Sequence, residues 1–161
     1  MKLALLVIAL LFPLASLACQ CNYDPLGQAT VDRAQQVFAF QLVSARYDPA
    51  SGDVIGDIRV VESLRGMHQG RQIRYSTSIC CGTRLDVGQF YVGFEDVPAD
   101  EFVASPGNVL DVGEGYSPQS PTIQSLRDVL SRAKTWSQAL GESANERVLT
   151  LPPPPGPCPG K

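Results

Sequence analysis

The sequence predicts a mainly β domain: five short strands forming a small barrel, one flanking C-terminal α-helix, and disulfide staples. Three observations lead there. Short stretches rich in β-branched and aromatic residues recur between clusters of turn formers, which is the signature of short strands at regular spacing. One segment, near residues 120–141, carries apolar residues at helical spacing instead. All five cysteines follow an apolar leader, and export implies an oxidising compartment in which disulfides persist.

The leader is residues 1–18. Lys2 supplies a charged start, Leu3 to Leu11 form an apolar run too short to span a bilayer, and Ser16 and Ala18 give the small-x-small pattern of a cleavage site. A retained membrane anchor would need a longer apolar stretch, and no later segment is apolar enough to cross a membrane. Cleavage makes Cys19 the first residue of a secreted or periplasmic chain, and loss of Lys2 takes the formal net charge from −3 to −4. That acidic balance, with scattered arginines and no basic stripe, argues against a nucleic-acid partner.

The domain proper spans residues 19–141. "QVFAFQLVSARY" (36–47) is the first strand, and "DPASGD" (48–53) is dense in turn formers and closes a hairpin onto "VIGDIRVVESLRG" (54–66). "MHQG" leads to "RQIRYSTS" (71–78); after "CCGTRLDVG" comes the apolar "QFYVGFEDV" (89–97), and "NVLDV" (108–112) is a short fifth strand. In the helix, Ser120 suits the cap, Pro121 the first turn and Gly141 the terminus. Between them Ile123, Leu126, Val129, Leu130, Ala133 and Leu140 make an apolar stripe, with Trp136 beside it. Residues 142–161 end in "LPPPPGPCPGK", an extended Pro-rich tail with nothing to bury.

Catalytic chemistry finds little support. His68, the one histidine, stands in a Gly-flanked loop and reads as a solvated surface residue. With the cysteines read as paired, no Cys/His nucleophile and no metal cage assembles, so the chain reads as a non-enzyme without a cofactor. Asp48, Asp53 and Asp57 miss the spacing of a calcium loop and read as turn formers and an exposed strand charge; Glu95, Asp96, Asp100 and Glu101 read as a solvated loop.

Taken in order, Cys19-x-Cys21 at the cleavage site, Arg65-Gly66 closing a strand pair, Cys81-Gly82, and the strand Phe90-Tyr91-Val92-Gly93-Phe94 resemble the N-terminal domain of tissue inhibitors of metalloproteinases, within the wider netrin-like group. The resemblance covers roughly residues 19–140 and implies an OB-fold barrel with a flanking helix. It implies a Cys19–Cys81 disulfide, which closes a loop of about sixty residues and contributes roughly 4 kcal/mol on the chain-entropy model. The family's partner for its third-position cysteine is missing, since "NVLDVGEGYS" carries none. Cys80 is the nearest substitute for pairing with Cys21, and Cys158 either pairs with Cys21 or stays free.

The resemblance also implies a function. In that family the freed α-amine and backbone carbonyl of the first residue chelate the catalytic zinc of a metalloproteinase. Here those ligands would be the backbone N and O of Cys19, taking the position that catalytic zinc leaves open. Gln20 would point into the protease pocket, and Cys21, Asn22, Ser76, Thr77, Ser78, Ile79 and Cys80 would form an extended contact ridge. Gln20 departs from the family, which carries threonine or serine there. Two other readings stand beside inhibition. One is a netrin-like module that binds an extracellular or periplasmic protein without inhibiting it. The other follows from Ser16-Leu17-Ala18-Cys19, which resembles a bacterial lipobox with Ser16 in place of the usual aliphatic residue. Lipidation at Cys19 would anchor the chain to a membrane and acylate the amine, so it excludes chelation.

Overall fold

The computed structural model describes residues 24–77 and 82–141. Its longest elements are the two strands that the turn formers join. Strand β1 (Gln36–Asp48) alternates faces: Val37 and Ala39 project to one side, Phe38, Phe40 and Leu42 to the other, and all five are buried. Strand β2 (Asp53–Arg65) pairs antiparallel with it over its whole length, with three register shifts that bend the pair. In the turn between them the Asp48 carboxylate accepts from Ala50 N (3.1 Å) and Ser51 Oγ (2.9 Å), bonds that hold its pKa below the usual value.

Strand β3 (Gln72–Ser76) adds antiparallel to β2, and β4 (Phe90–Glu95) adds antiparallel to the other side of β1. Strand β5 (Glu101–Ala104) runs parallel to β3, and β6 (Val109–Gly113) antiparallel to β4, giving the order β5-β3-β2-β1-β4-β6. All five expected strands are present. The sixth, β5, comes from a stretch read from sequence as part of a solvated loop. Its buried residues Phe102 and Ala104 alternate with Glu101 and Val103, but four residues are too few for the alternation to stand out.

The sheet is strongly curled. In a flat sheet β5 and β1 would lie three strand spacings, about 14 Å, apart. Instead the Phe102 ring centroid sits 5.3 Å from that of Phe38, edge to face, and 6.1 Å from that of Phe40. The concave side therefore wraps an aromatic core of Phe38, Phe40, Ile73, Tyr75, Tyr91 and Phe102. Gly93 makes this closeness possible: a Cβ there would lie 3.0 Å from Phe38 Cζ and from Phe102 Cε1 and Cζ. Among the described residues no ladder joins β4 to β5, so the sheet is not closed as a barrel. Asn108 spans that gap. Its side chain accepts from Ser105 N (2.7 Å) and donates to Val103 O (2.9 Å), while its carbonyl accepts from Phe94 N (2.9 Å).

Helices cover the convex side of β1, β4 and β6. Helix α1 (Gln28–Arg33), which lies where no element was read from the sequence, buries Thr30 and Val31. Helix α2 (Pro121–Leu130) begins as expected, with Ser120 Oγ accepting from Ile123 N and Pro121 in the first turn. It then ends ten residues earlier than the expected stripe. Arg132 takes a left-handed φ of 63°, Ala133 N and Lys134 N both donate to Asp128 O, and Ala133 is exposed. A separate turn, α3 (Trp136–Ala139), starts at a Thr135–Gln138 capping box and lays Trp136 against Phe94.

One arginine gathers the helix ends. Arg65 Nη1 donates to Val31 O (2.6 Å) and Ala34 O (3.1 Å), and Nη2 donates to Leu130 O (3.3 Å). A cation at two helix C-termini answers both the open carbonyls and the negative end of each helix dipole. Gly66 follows with φ 65°, and any Cβ there would sit 2.7 Å from Gln35 O. Glu62 accepts from Arg127 and from the Tyr116 hydroxyl, fastening α2 to β2; burial pushes the Tyr116 pKa well above its ordinary value.

Gly93→Ala should lower stability by about 1–3 kcal/mol, the usual cost of overpacking. Phe102→Leu in the same chain should recover part of that loss, because it removes one of the two rings that the new methyl meets. Denaturant midpoints of the two single variants and the double check this, and strictly additive losses would deny that the contact shapes the curl.

Candidate functional site

Two places merit description: the rim where β3 ends, and a polar pair inside the aromatic core. Register sets the first. Ser76 pairs with Asp53, which puts the end of β3 beside the β1–β2 turn. Arg74, one turn of the pleat earlier, makes a two-pronged bond to Glu101 (Nε to Oε2 3.0 Å, Nη2 to Oε1 3.2 Å) and reaches Asp53 at 3.8 Å. Glu101 holds its guanidinium even more firmly charged than usual. Three segments are thus tied together: β3, β5 and the turn.

Ser76 O accepts from Thr83 N (2.7 Å), and beyond it Thr83 and Leu85 are buried. The next stretch is pinned to β1 by Gly88 N to Leu42 O (2.7 Å) and Leu42 N to Gln89 O (3.1 Å). Asp86 N donates to the Tyr91 hydroxyl (2.7 Å). Burial pushes the Tyr91 pKa up to about 12. Tyr75, on the same concave side, is also raised by burial.

Of the expected contact ridge, Ser76 is exposed and Thr77 half-buried at this rim. Cys19, Gln20, Cys21, Asn22, Ser78, Ile79, Cys80, Cys81 and Cys158 lie outside the described residues, and with them both expected disulfides and the Cys19 zinc ligands. Among the described residues, no three His, Cys, Asp or Glu side chains stand where they could hold a metal ion. Asp48, Asp53 and Asp57 fit their reading as turn formers and strand charge: Asp48 organises the turn, and Asp57 accepts from Ser44 Oγ.

The second place overturns two expectations. His68 is not a solvated surface residue; it is 5% exposed, with its ring stacked 4.0 Å from that of Phe38 at an interplanar angle of 5°. Glu95 is not part of a solvated loop; it is 6% exposed, and its Oε2 lies 2.9 Å from His68 Nδ1. Glu95 Oε1 accepts from Ala99 N (3.2 Å), which leaves Oε2 to the histidine. That leaves Nε2 with no partner among the described residues. Neither residue signals burial in sequence, because each is a common surface type flanked by glycine or acids. The one legible hint is that Glu95 closes the apolar run of β4.

Compared with known proteins, the chain matches no family model and no curated protein.

His68→Phe and Glu95→Leu should each cost about 1–3 kcal/mol, because each leaves the other's buried polar group unpaired. The double variant should lose less than the sum, and additivity in denaturation experiments would mean that the two groups are not coupled. At alkaline pH, the neutral Tyr91 phenol is favoured in the folded protein over the unfolded one. Its contribution is therefore complete below about pH 10 and is lost as pH climbs through about 12. Tyr91→Phe should remove that part of the decline when stability is followed against pH.

Proposed function

We propose that this chain is an exported netrin-like module that inhibits a zinc metalloproteinase in the manner of the tissue inhibitors it resembles. Its single carrying observation is the strand arrangement. The order β5-β3-β2-β1-β4, with β3 and β5 parallel and the sheet curled around Phe38, Phe40 and Phe102, is what a partly open five-stranded OB-type barrel would give, with β4 and β5 left unladdered. The Arg65–Gly66 pair named in the resemblance has a structural task that favours the same reading, since it seats both helices against the sheet.

On this reading a Cys19–Cys81 bridge fastens the new N-terminus beside the rim at Ser76 and Thr77. The Cys19 amine and carbonyl then take the open position of the protease zinc as a five-membered chelate, with Gln20 directed into the neighbouring pocket. A terminus fixed in advance loses little ordering entropy on docking, which is why a rigid base such as the Arg74–Glu101–Asp53 tie suits the task. Gln20, longer than the family's small hydroxyl residue, favours as a second reading a netrin-like protein-binding module without inhibitory activity.

The experiment compares a chain beginning at Cys19 with one carrying an extra alanine before it, against a panel of zinc metalloproteinases. The native start should inhibit. The extended form should keep the same fold and thermal midpoint yet lose about a hundredfold or more in affinity, the order of some 3 kcal/mol. Equal inhibition by both forms rules out chelation by the amine. No inhibition by the native form leaves the non-inhibitory module as the function.

A further inference from the structure

The seam between β4 and β5, where no ladder closes the sheet among the described residues, holds a cavity of about 380 Å³. Phe94 and Phe102, each 1% exposed, stand at its base; Val97 and Val103 stand at its mouth, 73% and 61% exposed. Val103 faces outward because Phe102 and Ala104 take the inward register of β5. Asn108 bonds Val103 O and Ser105 N there, so it serves the backbone while the valine side chains stay in water. Two aliphatic groups flanking one opening, above a base of phenylalanine rings, give apolar surface that a covering group would bury at a gain.

The point where the described chain begins decides what is at hand to cover it. Asp24 lines the same cavity, and Arg33 ties it there: Nη1 lies 3.1 Å from Asp24 Oδ2, and Nε lies 3.5 Å from Asp96 Oδ2. Asp96 follows Glu95, which pairs with Gln36 at the start of β1, so Asp24 is tied at the end of the sheet away from the rim. The preceding residue, Tyr23, lies outside the described residues, but peptide geometry keeps its Cα about 3.8 Å from that of Asp24. Among residues 19–23 it alone brings a large apolar surface, and its hydroxyl suits the wet mouth of a cavity. The segment beyond Gly141 also carries apolar groups, at Val148, Leu149 and Leu151. They stand several residues from the last described one, so seating them orders far more backbone than seating a residue next to a fixed one.

We propose that the Tyr23 ring occupies the β4–β5 cavity, between Val97 and Val103 and over Phe94 and Phe102, and so sets the course of residues 19–22. The anchor itself stands on the seam; its consequence for function rests on the inhibitor reading given above. β5 runs parallel to β3, from Glu101 beside Gln72 to Ala104 beside Tyr75, and Ser76 at the rim comes next. Four strand residues span about 13 Å, and residues 19–22, when extended, reach about as far. A chain led along β5 from the seam therefore brings Cys19 to the rim, where chelation needs it, and Tyr23 is a positioning residue for that terminus. In a netrin-like module without inhibitory activity, the same anchor closes the open side of the sheet.

In the chain beginning at Cys19 with its valine methyls ¹³C-labelled, nuclear Overhauser spectra should show contacts from the Tyr23 ring to the methyls of Val97 and Val103. Tyr23→Ala should lower the thermal midpoint by about 5 °C, whereas Tyr23→Phe should leave it near that of the parent. Amide hydrogen exchange at Asn22 should quicken about tenfold in the alanine variant and not in the phenylalanine one, which separates positioning from stability alone. Contacts to the valine methyls from Leu149 or Leu151 instead would give the cavity to the C-terminal segment. Contacts seen only between differently labelled copies would give it to a second molecule. Either result overturns the assignment, as does an alanine variant that melts with the parent. Inhibition assays on the same samples fail separately: a parent that shows the Tyr23 contacts yet inhibits no protease keeps the anchor and loses the chelation reading.

Discussion

The packing of Phe102 across Phe38 and Phe40 is the contact on which the rest of this structure depends. It joins strands that a flat sheet would keep far apart, so it converts a run of ladders into an enclosing wall. Aromatic side chains bury large areas and gain from edge-to-face geometry, so a few of them can hold a curl that backbone bonding alone does not impose. The closeness has a geometric condition, met by Gly93, whose missing side chain leaves room for two rings at once. The curl also explains why β4 and β5 need no ladder. They are joined from inside by the rings and at one end by Asn108, whose side chain meets β5 while its backbone meets β4.

Once curled, the sheet has two environments. Its concave side closes on itself, and its convex side along β1, β4 and β6 must be covered by something else. The helices do this, and Arg65 brings the C-termini of α1 and α2 to one guanidinium. A single charged residue at the end of β2 thereby fixes where α1 and α2 sit relative to the strands. The side chain is long enough to bring its stem along apolar surface and keep its head among carbonyls, which a lysine would satisfy less completely. Trp136 completes the cover by reaching Phe94 from a separate turn, and Gln28 Oε1 accepts from Trp136 N to join the first helix to the last.

The same enclosure accounts for the polar pair in the core. The segment that leaves β2 at Gly66 folds back over the open seam of the sheet, carrying His68 onto Phe38, and the end of β4 brings Glu95 beneath it. A histidine stacked on a phenylalanine contributes much as an aromatic would, but it retains two nitrogens that need partners. Glu95 serves one of them. The other lies against Gly70, where a Cβ would come within 2.7 Å of it, and has no partner among the described residues. Rim and core are thus linked through β5: its Glu101 holds Arg74 under the rim, while its Phe102 lies edge-on to the His68 ring.

The sequence by itself determined the parts governed by local rules. Strand-forming stretches between turn formers mark β1, β2, β3, β4 and β6; Asp48 and its neighbours mark the hairpin turn; Ser120 and Pro121 mark the start of α2. Each of these rests on interactions within a few residues, so the pattern is visible without the fold. The tertiary structure alone decided the rest. It took four residues, Glu101–Ala104, into the sheet because β3 offered a parallel edge and Phe102 had rings to meet. It ended α2 at Leu130, with Arg132 left-handed and Ala133 N and Lys134 N turned back to Asp128 O, and set Trp136 against Phe94 from a separate turn. It drew His68 and Glu95 from apparent surface into the interior because the two partners lie 27 residues apart in sequence. Of the expected contact ridge, Ser76 and Thr77 lie among the described residues, at the end of the strand expected over 71–78. The physical reason for the division is distance along the chain: periodicity and capping act over one or two turns, whereas curl, burial of a charge and the pairing of remote groups are settled only when the whole surface closes.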